Sequence, residues 1–189
     1  GKNARVLDYL VQTWDTNVLG ETSVTNITVP EIIAQRCRKI VSDLHIAGWP
    51  DSEVIEFFVA LSLLPPPIPL EELANALGWS VTQVNTAASD LAPMLEIASH
   101  GAIFRDEPTE TYVRETYSTQ PEAQRAIADR LMSSQATSAY AAEALPHFLV
   151  VIKDSDRAFT LADSTSFPTT VQSEFGRRRL TLARLRAAF

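Results

Sequence analysis

Cysteine, glycine and histidine are scarce in this sequence, and one long stretch has no positive charge at all. Among its 189 residues there is one cysteine, Cys37, which excludes an internal disulfide framework and fits a reducing compartment. Six glycines suit helices with short connections better than a sheet protein full of turns. No G-x-x-x-x-G-K-[ST] loop is present, so these residues alone cannot cradle a triphosphate. H-E-x-x-H, C-x-x-C and calcium-loop spacings are missing too, and no metal is expected. The histidines His45, His100 and His147 are isolated from one another in sequence. The longest apolar run, Phe57 to Leu70, contains Pro65, Pro66, Pro67 and Pro69 and cannot cross a bilayer. No charged segment leads into an apolar one as in a signal peptide. These absences predict a cytoplasmic protein with no catalytic constellation, no metal and no membrane span.

What is present is ordinary in amount and uneven in placement. A hydrophobic content of 46% with 21% charged residues is that of a soluble globular chain, long enough for one sizeable core or two small domains. The net charge of −7 is not spread evenly. Residues 51–104 hold seven acids and no lysine or arginine, whereas the tail from Leu161 holds two acids and five arginines. Three of those arginines, Arg177, Arg178 and Arg179, are consecutive, and they could pair with the acidic middle or bind something else.

Periodicity predicts a mainly helical chain. Val6, Leu7, Leu10, Val11 and Trp14 give an amphipathic helix almost from the first residue, so the chain looks like a piece of a longer protein. Thr28-Val29-Pro30 opens a second helix whose buried face is Ile32, Ile33, Cys37, Ile40, Val41 and Leu44. Gly48-Trp49-Pro50 ends it, and Asp51 or Ser52 caps the next, with Val54, Phe57, Phe58, Leu61 and Leu64 inward. The proline triplet stops that helix. Leu70, Leu73 and Leu77 mark a short helix ended by Gly78. Ser80 then caps another with Val81, Val84, Ala87 and Leu91 as its apolar residues, closed by Pro93. Met94 to Ile97 and Ala102 to Phe104 read as a hairpin with His100 exposed in the turn. Arg105-Asp106-Glu107-Pro108 opens the following helix, in which Glu110 and Arg114 form an i, i+4 pair. Helices over 123–132, 136–151, 156–162 and 173–189 complete the chain and resemble the start of a helical-repeat array.

Helix, turn, helix and hairpin in that order form a winged helix, so the fold class expected is all-α with a small β-hairpin wing. Such a domain ordinarily reads DNA, and phosphate contacts require lysine or arginine. Between Ser80 and Ala92 the polar groups are Thr82, Gln83, Asn85, Thr86, Ser89 and Asp90, with no base among them. DNA is therefore an unexpected partner. The carboxylates Asp106, Glu107, Glu110 and Glu115 read as a helix start with charge pairs rather than as acid–base machinery.

Three segments resemble STAND-class signalling NTPases, the AAA+ relatives that include NACHT and NB-ARC proteins. Leu64 to Leu77 (LPPPIPLEELANAL) is similar to their "L-P-x-P-L-x-x-L-A" winged-helix opening. Ser89 to Glu96 (SDLAPMLE) is similar to the "L-x-x-L-x-P-L-L" run before the wing, and Ile103 to Thr111 (IFRDEPTET) occupies the place of the segment after it. Asp106-Glu107-Pro108 stands where a histidine-x-serine is usual in that segment. Gly1-Lys2-Asn3-Ala4-Arg5 resembles the "G-N-x-R" opening of a lid helix with one residue inserted, which makes Arg5 the candidate nucleotide contact. The resemblance implies a lid-like segment over 1–50, a winged helix over 51–117 and the start of a helical-repeat region over 118–189. It implies a regulatory, non-enzymatic arm whose parent protein binds ATP or ADP. Its partners would be a neighbouring nucleotide-binding domain of the same chain and other proteins through the helical region. In bacteria such proteins often act against phage. A winged-helix DNA-binding regulator and a stand-alone interaction module using Phe57, Phe58 or Trp79 are the alternatives.

Overall fold

The helix Asp51–Leu63, buried on every side from Phe57 onward, is the centre of this molecule. The computed structural model describes residues 28–91 and 94–189. The elements expected over residues 3–26, the Arg5 contact and the closing Pro93 lie outside the described residues. Within them run nine α-helices: α1 (Val29–Ile46), α2 (Asp51–Leu63), α3 (Leu70–Leu77), α4 (Val81–Asp90), α5 (Glu107–Tyr117), α6 (Pro121–Ser134), α7 (Ala139–Ile152), α8 (Ser155–Ala162) and α9 (Glu174–Ala188). A hairpin of β1 (Leu95–Ala98) and β2 (Gly101–Phe104) lies between α4 and α5. The fold is all-α with a small wing.

Local chemistry sets the helix ends. Thr28 and Glu31 form a capping box at the start of α1, satisfying backbone N–H groups that have no intrahelical partner. Ser80 and Gln83 do the same for α4, with the Gln83 N–H donating to Ser80 Oγ at 3.2 Å and the Ser80 N–H to Gln83 Oε1 at 2.9 Å. Gly78 ends α3 at φ 70°, which costs glycine nothing. At α2 the cap is Pro50, one residue before the expected Asp51 or Ser52. Its ring holds φ near −64°, and Asp51 and Glu53 fall in the first turn, where the helix dipole favours acids.

The expectation of one apolar face on α2 understates its burial. Val54 and every residue from Phe57 to Leu63 are buried, because α1, α3, α5 and α6 all pack around it. The wing is also larger than a hairpin. Ile68, between α2 and α3, exchanges both backbone bonds with Ala102, at 2.9 and 2.8 Å, an isolated antiparallel bridge beside β2. Helix, bridge, helix, helix and two wing strands make the winged-helix order.

The helices after the wing share the same core. One continuous set of buried side chains runs from Ile32 through Phe57, Phe58 and Leu91 to Phe148 and Leu161. Polar bridges reinforce the junction. Arg130 on α6 donates to Glu56 Oε2 at 2.5 Å and to the Ala76 carbonyl at 3.3 Å, satisfying an acceptor at the end of α3. Ser138 donates to Glu72 Oε1 at 2.7 Å, and the Tyr140 hydroxyl donates to the Pro65 carbonyl at 2.8 Å. Burial, and then the nearby Glu72, push the Tyr140 phenol above its ordinary pKa. The helix expected to end at 132 runs on through Ser133 and Ser134, whose hydroxyls donate to Asp129 O and Arg130 O. The break falls instead at 135–138.

Candidate interaction surface

In a winged helix the second helix of the helix-turn-helix pair and the wing present the outward surface; here these are α4 and the β1–β2 hairpin. Helix α4 turns Val84, Ala87 and Ala88 into the core. Val81, expected on that inner face, is 41% exposed, since it sits in the first turn before the helix meets its neighbours. Outward lie Thr82, Gln83, Asn85, Thr86, Ser89 and Asp90, all exposed. Two of the hydroxyls are already spent: Thr86 donates to Thr82 O at 3.0 Å and Ser89 to Asn85 O at 2.7 Å. The capping box uses the Gln83 amide oxygen alone. What this face offers a partner is a neutral to acidic surface without a lysine or arginine.

The wing continues that surface. Cross-strand pairing sets Leu95 against Phe104 and Ile97 against Ala102 on one face, and Glu96 against Ile103 on the other. Ile97 and Ile103 are both more than a third exposed, and His100 is exposed in the turn as expected. Gly101 makes the tight approach possible. At φ 133° an added Cβ would lie 2.4 Å from the Ile68 carbonyl oxygen. Beside the wing is a cleft of about 250 Å³, floored by Leu64, Ile68, Leu95 and Phe104. Its rim carries Arg105, Asp106, Glu107, Glu110 and Arg114.

The rim carboxylates have structural partners. Asp106 Oδ1 accepts the Thr109 N–H at 2.9 Å and caps α5, and Glu110 pairs with Arg114. The Arg114 guanidinium also reaches the Ser62 carbonyl at 3.5 Å. A carboxylate fixed at Asp106 repels phosphate, so the segment after the wing does not suit a nucleotide contact. Among the described residues no group of three or more histidine, cysteine or acidic side chains could hold a metal ion. No described helix is long and apolar enough to cross a membrane.

The other sequence-singled residues fall in structural places. Cys37 is fully buried, and burial raises its thiol pKa to about 12, with Arg36 pulling weakly the other way. His45, without a partner in the sequence pattern, meets Asp51 at 2.9 Å because the chain reverses at Gly48, and the pair is exposed. Phe57 and Phe58 are wholly buried and offer no surface; Trp79 is half-buried, stacked on Phe57 with ring centroids 5.5 Å apart and tilted against Trp49 at 4.5 Å. The arginine run pairs locally rather than with the acidic stretch 51–104: Arg178 with Glu174, and Arg179 with Glu143 of α7.

The sequence reading missed Arg184. It is 1% exposed, and its guanidinium donates to the Ser164 and Ser166 carbonyls at 3.0 and 2.9 Å and to Gln135 Oε1 at 3.3 Å. Phe167 lies under it, 5.1 Å from ring centroid to guanidinium carbon. No carboxylate is among those partners, and burial lowers its pKa from the arginine norm.

These features define a mainly helical fold with a small antiparallel wing, whose outward α4 face is neutral to acidic. Compared with protein-family models the chain matches none, and no curated protein matches it.

Proposed function

We propose that this chain is the regulatory arm of a multidomain, STAND-type ATP-binding signalling protein working in the cytoplasm. In this reading residues 51–117 seat against a neighbouring nucleotide-binding domain, with 1–50 as a lid-like segment and 118–189 as the start of a helical-repeat region facing other proteins. The nucleotide is held by the neighbour, with Arg5 as this chain's candidate contact. The observation that carries the reading is the α4 and wing face, which exposes Asn85, Asp90, Glu96, Ile97 and Ile103 and not one lysine or arginine. Such a face repels DNA phosphates and suits a protein surface.

The test is the native coding sequence upstream of Gly1, over about 250–300 residues, the span of a nucleotide-binding domain. A strand followed by G-x-x-x-x-G-K-[ST] is expected, and limited proteolysis of that longer protein should differ between ATP and ADP. Without such a loop the nucleotide link is overturned, and the winged helix stands as an interaction module. Duplex DNA binding that weakens steeply with salt, and survives Arg177→Ala with Arg178→Ala and Arg179→Ala, would instead assign the α4 face to DNA.

A further inference from the structure

Helix α9 has two apolar faces and only one of them is covered. Leu180, Arg184 and Ala187 face inward, packed against α7 and α8. On the opposite side Phe175, Leu182 and Phe189 recur at intervals of seven, with Arg178 and Leu185 three residues after the first two. That is an a/d stripe of the kind that packs against another helix. It lies open: Phe175 is 76% exposed, Leu182 48% and Leu185 42%. Phe159 of α8 widens it, meeting Phe189 edge-to-face at 6.0 Å.

Charge decides what this stripe fits. Arg179 and Arg186 are themselves seven residues apart and flank it on one side, and Glu174 is the only acid of the helix. Among the described residues no carboxylate pairs with Arg177 or Arg186. A second copy is a poor occupant in either direction. An antiparallel pair centred on Leu182 seats Phe175 on the other copy's Phe189, but it sets Arg178 against the other copy's Arg186. A parallel pair stacks Arg178 on Arg178 within the apolar layer. Like charges brought together while losing water are destabilising.

We propose that the outer face of α9 docks an acidic amphipathic helix of a partner protein, one with apolar residues at a and d positions and glutamate or aspartate beside them. Leu182 and Phe175 would enter its apolar seam, while Arg186 meets its carboxylates and Arg178 and Arg179 exchange their exposed intrachain partners, Glu174 and Glu143, for them. Paired with charge of the opposite sign, the arginine flank selects the partner, and the seam holds it. The inference is independent of whether a nucleotide-binding domain neighbours the winged helix.

The probe is a synthetic fluorescent helix of about three heptads with leucine at a and d and glutamate at e and g, beside the same helix with lysine at e and g. Anisotropy with the intact 189-residue chain should show the glutamate helix binding at least about tenfold more tightly than the lysine helix, and weakening with added salt. Leu182→Glu should abolish binding and Arg186→Glu should weaken it at least about threefold, with the thermal midpoint of both exposed-site variants unchanged. Equal affinity for the two helices, or binding that Leu182→Glu leaves intact, overturns the proposal. A concentration-dependent dimer that Leu182→Glu dissolves would give the face to a second copy. Leu182-dependent sedimentation with phosphatidylserine-containing vesicles, without peptide binding, would give it to a lipid surface. Either result overturns the acidic-helix reading.

Discussion

The winged-helix stretch 51–104 and the helices from α6 to α9 share one core but are fastened in different ways. The first has no lysine or arginine, so no carboxylate within it finds either as a partner inside the stretch. It is held by apolar packing around α2 and by backbone pairing of Ile68 with Ala102. The second is fastened largely through arginine: Arg130 to Glu56, Arg157 to Asp129 and Asp154, Arg179 to Glu143, and Arg184 to neutral carbonyls. Burial of apolar area is indifferent to pH and only weakly sensitive to salt, whereas charge pairs respond to both. The winged-helix part should therefore answer to changes of shape, and the later helices to changes of charge.

The largest expected effect breaks the first side by shape alone. In Gly101→Ala the new Cβ meets the backbone of Ile68 and Pro69 at 2.4–2.8 Å, so the strand pairing must give way. Strain plus two weakened backbone bonds should cost about 3 kcal/mol or more. For a chain of this size that lowers the thermal midpoint by roughly 6–12 °C, read by circular dichroism. A shift under a few degrees would mean that the bridge to Ile68 does not hold the wing.

Arg184→Met is the counterpart on the second side. It keeps much of the side-chain volume but leaves the Ser164 and Ser166 carbonyls and the Gln135 amide oxygen without their donor. A loss of about 2–4 kcal/mol is expected in urea unfolding. Little or no loss would mean that packing over Phe167, rather than hydrogen bonding, secures the 163–173 segment.

Much of the fold was legible because it is written locally. The caps near Thr28 and at Ser80, the glycine stop at position 78 and the two short apolar runs of the hairpin are signals confined to a few residues. The unread parts depend on distant partners. Nothing near Ile68 announces that it pairs with Ala102, and the burial of α2 on all sides from Phe57 onward follows from four helices contributed by other parts of the chain. Arg184 looked like one more member of a basic tail. Its only local signal was its place four residues after Leu180 and three before Ala187, on the inward row. The candidate surface was legible as far as the missing bases of α4, but the outward turn of Val81 was not.

Between the two regions lies Arg130, whose replacement by methionine should have an intermediate effect. Glu56, its partner, has a side chain only 17% exposed, so the variant leaves a half-buried carboxylate uncompensated and the Ala76 carbonyl without its donor. A cost of about 1–2 kcal/mol is expected, and the Glu56→Gln, Arg130→Met double variant should recover part of it. If the double variant loses the sum of the single effects, the two residues are not coupled and the junction is held by the core alone.

The smallest effect concerns pH, and it belongs to the second region only. Burial disfavours the charged form of Asp154, but the side-chain and backbone hydrogen bonds from Arg157 outweigh it and hold the carboxyl below its ordinary pKa. A folded pKa below the unfolded one gives stability that is present above the unfolded value, about 4, and lost as pH falls through the folded value. Asp154→Asn retains a side-chain oxygen able to accept the Arg157 N–H, now at 3.1 Å, and so preserves the cap while removing the charge. The variant should be less stable than the parent by about 1 kcal/mol or less at pH 7. The difference should shrink as pH falls through the folded value, where the parent carboxyl is protonated as well. Urea midpoints of the two proteins across a falling pH series measure it. A gap that persists unchanged in acid would show that asparagine disturbs the α7–α8 turn itself. The charge-dependent fastening of the later helices would then rest on Arg157 and Asp129, whose 2.5 Å pair lies on the more exposed side of that arginine.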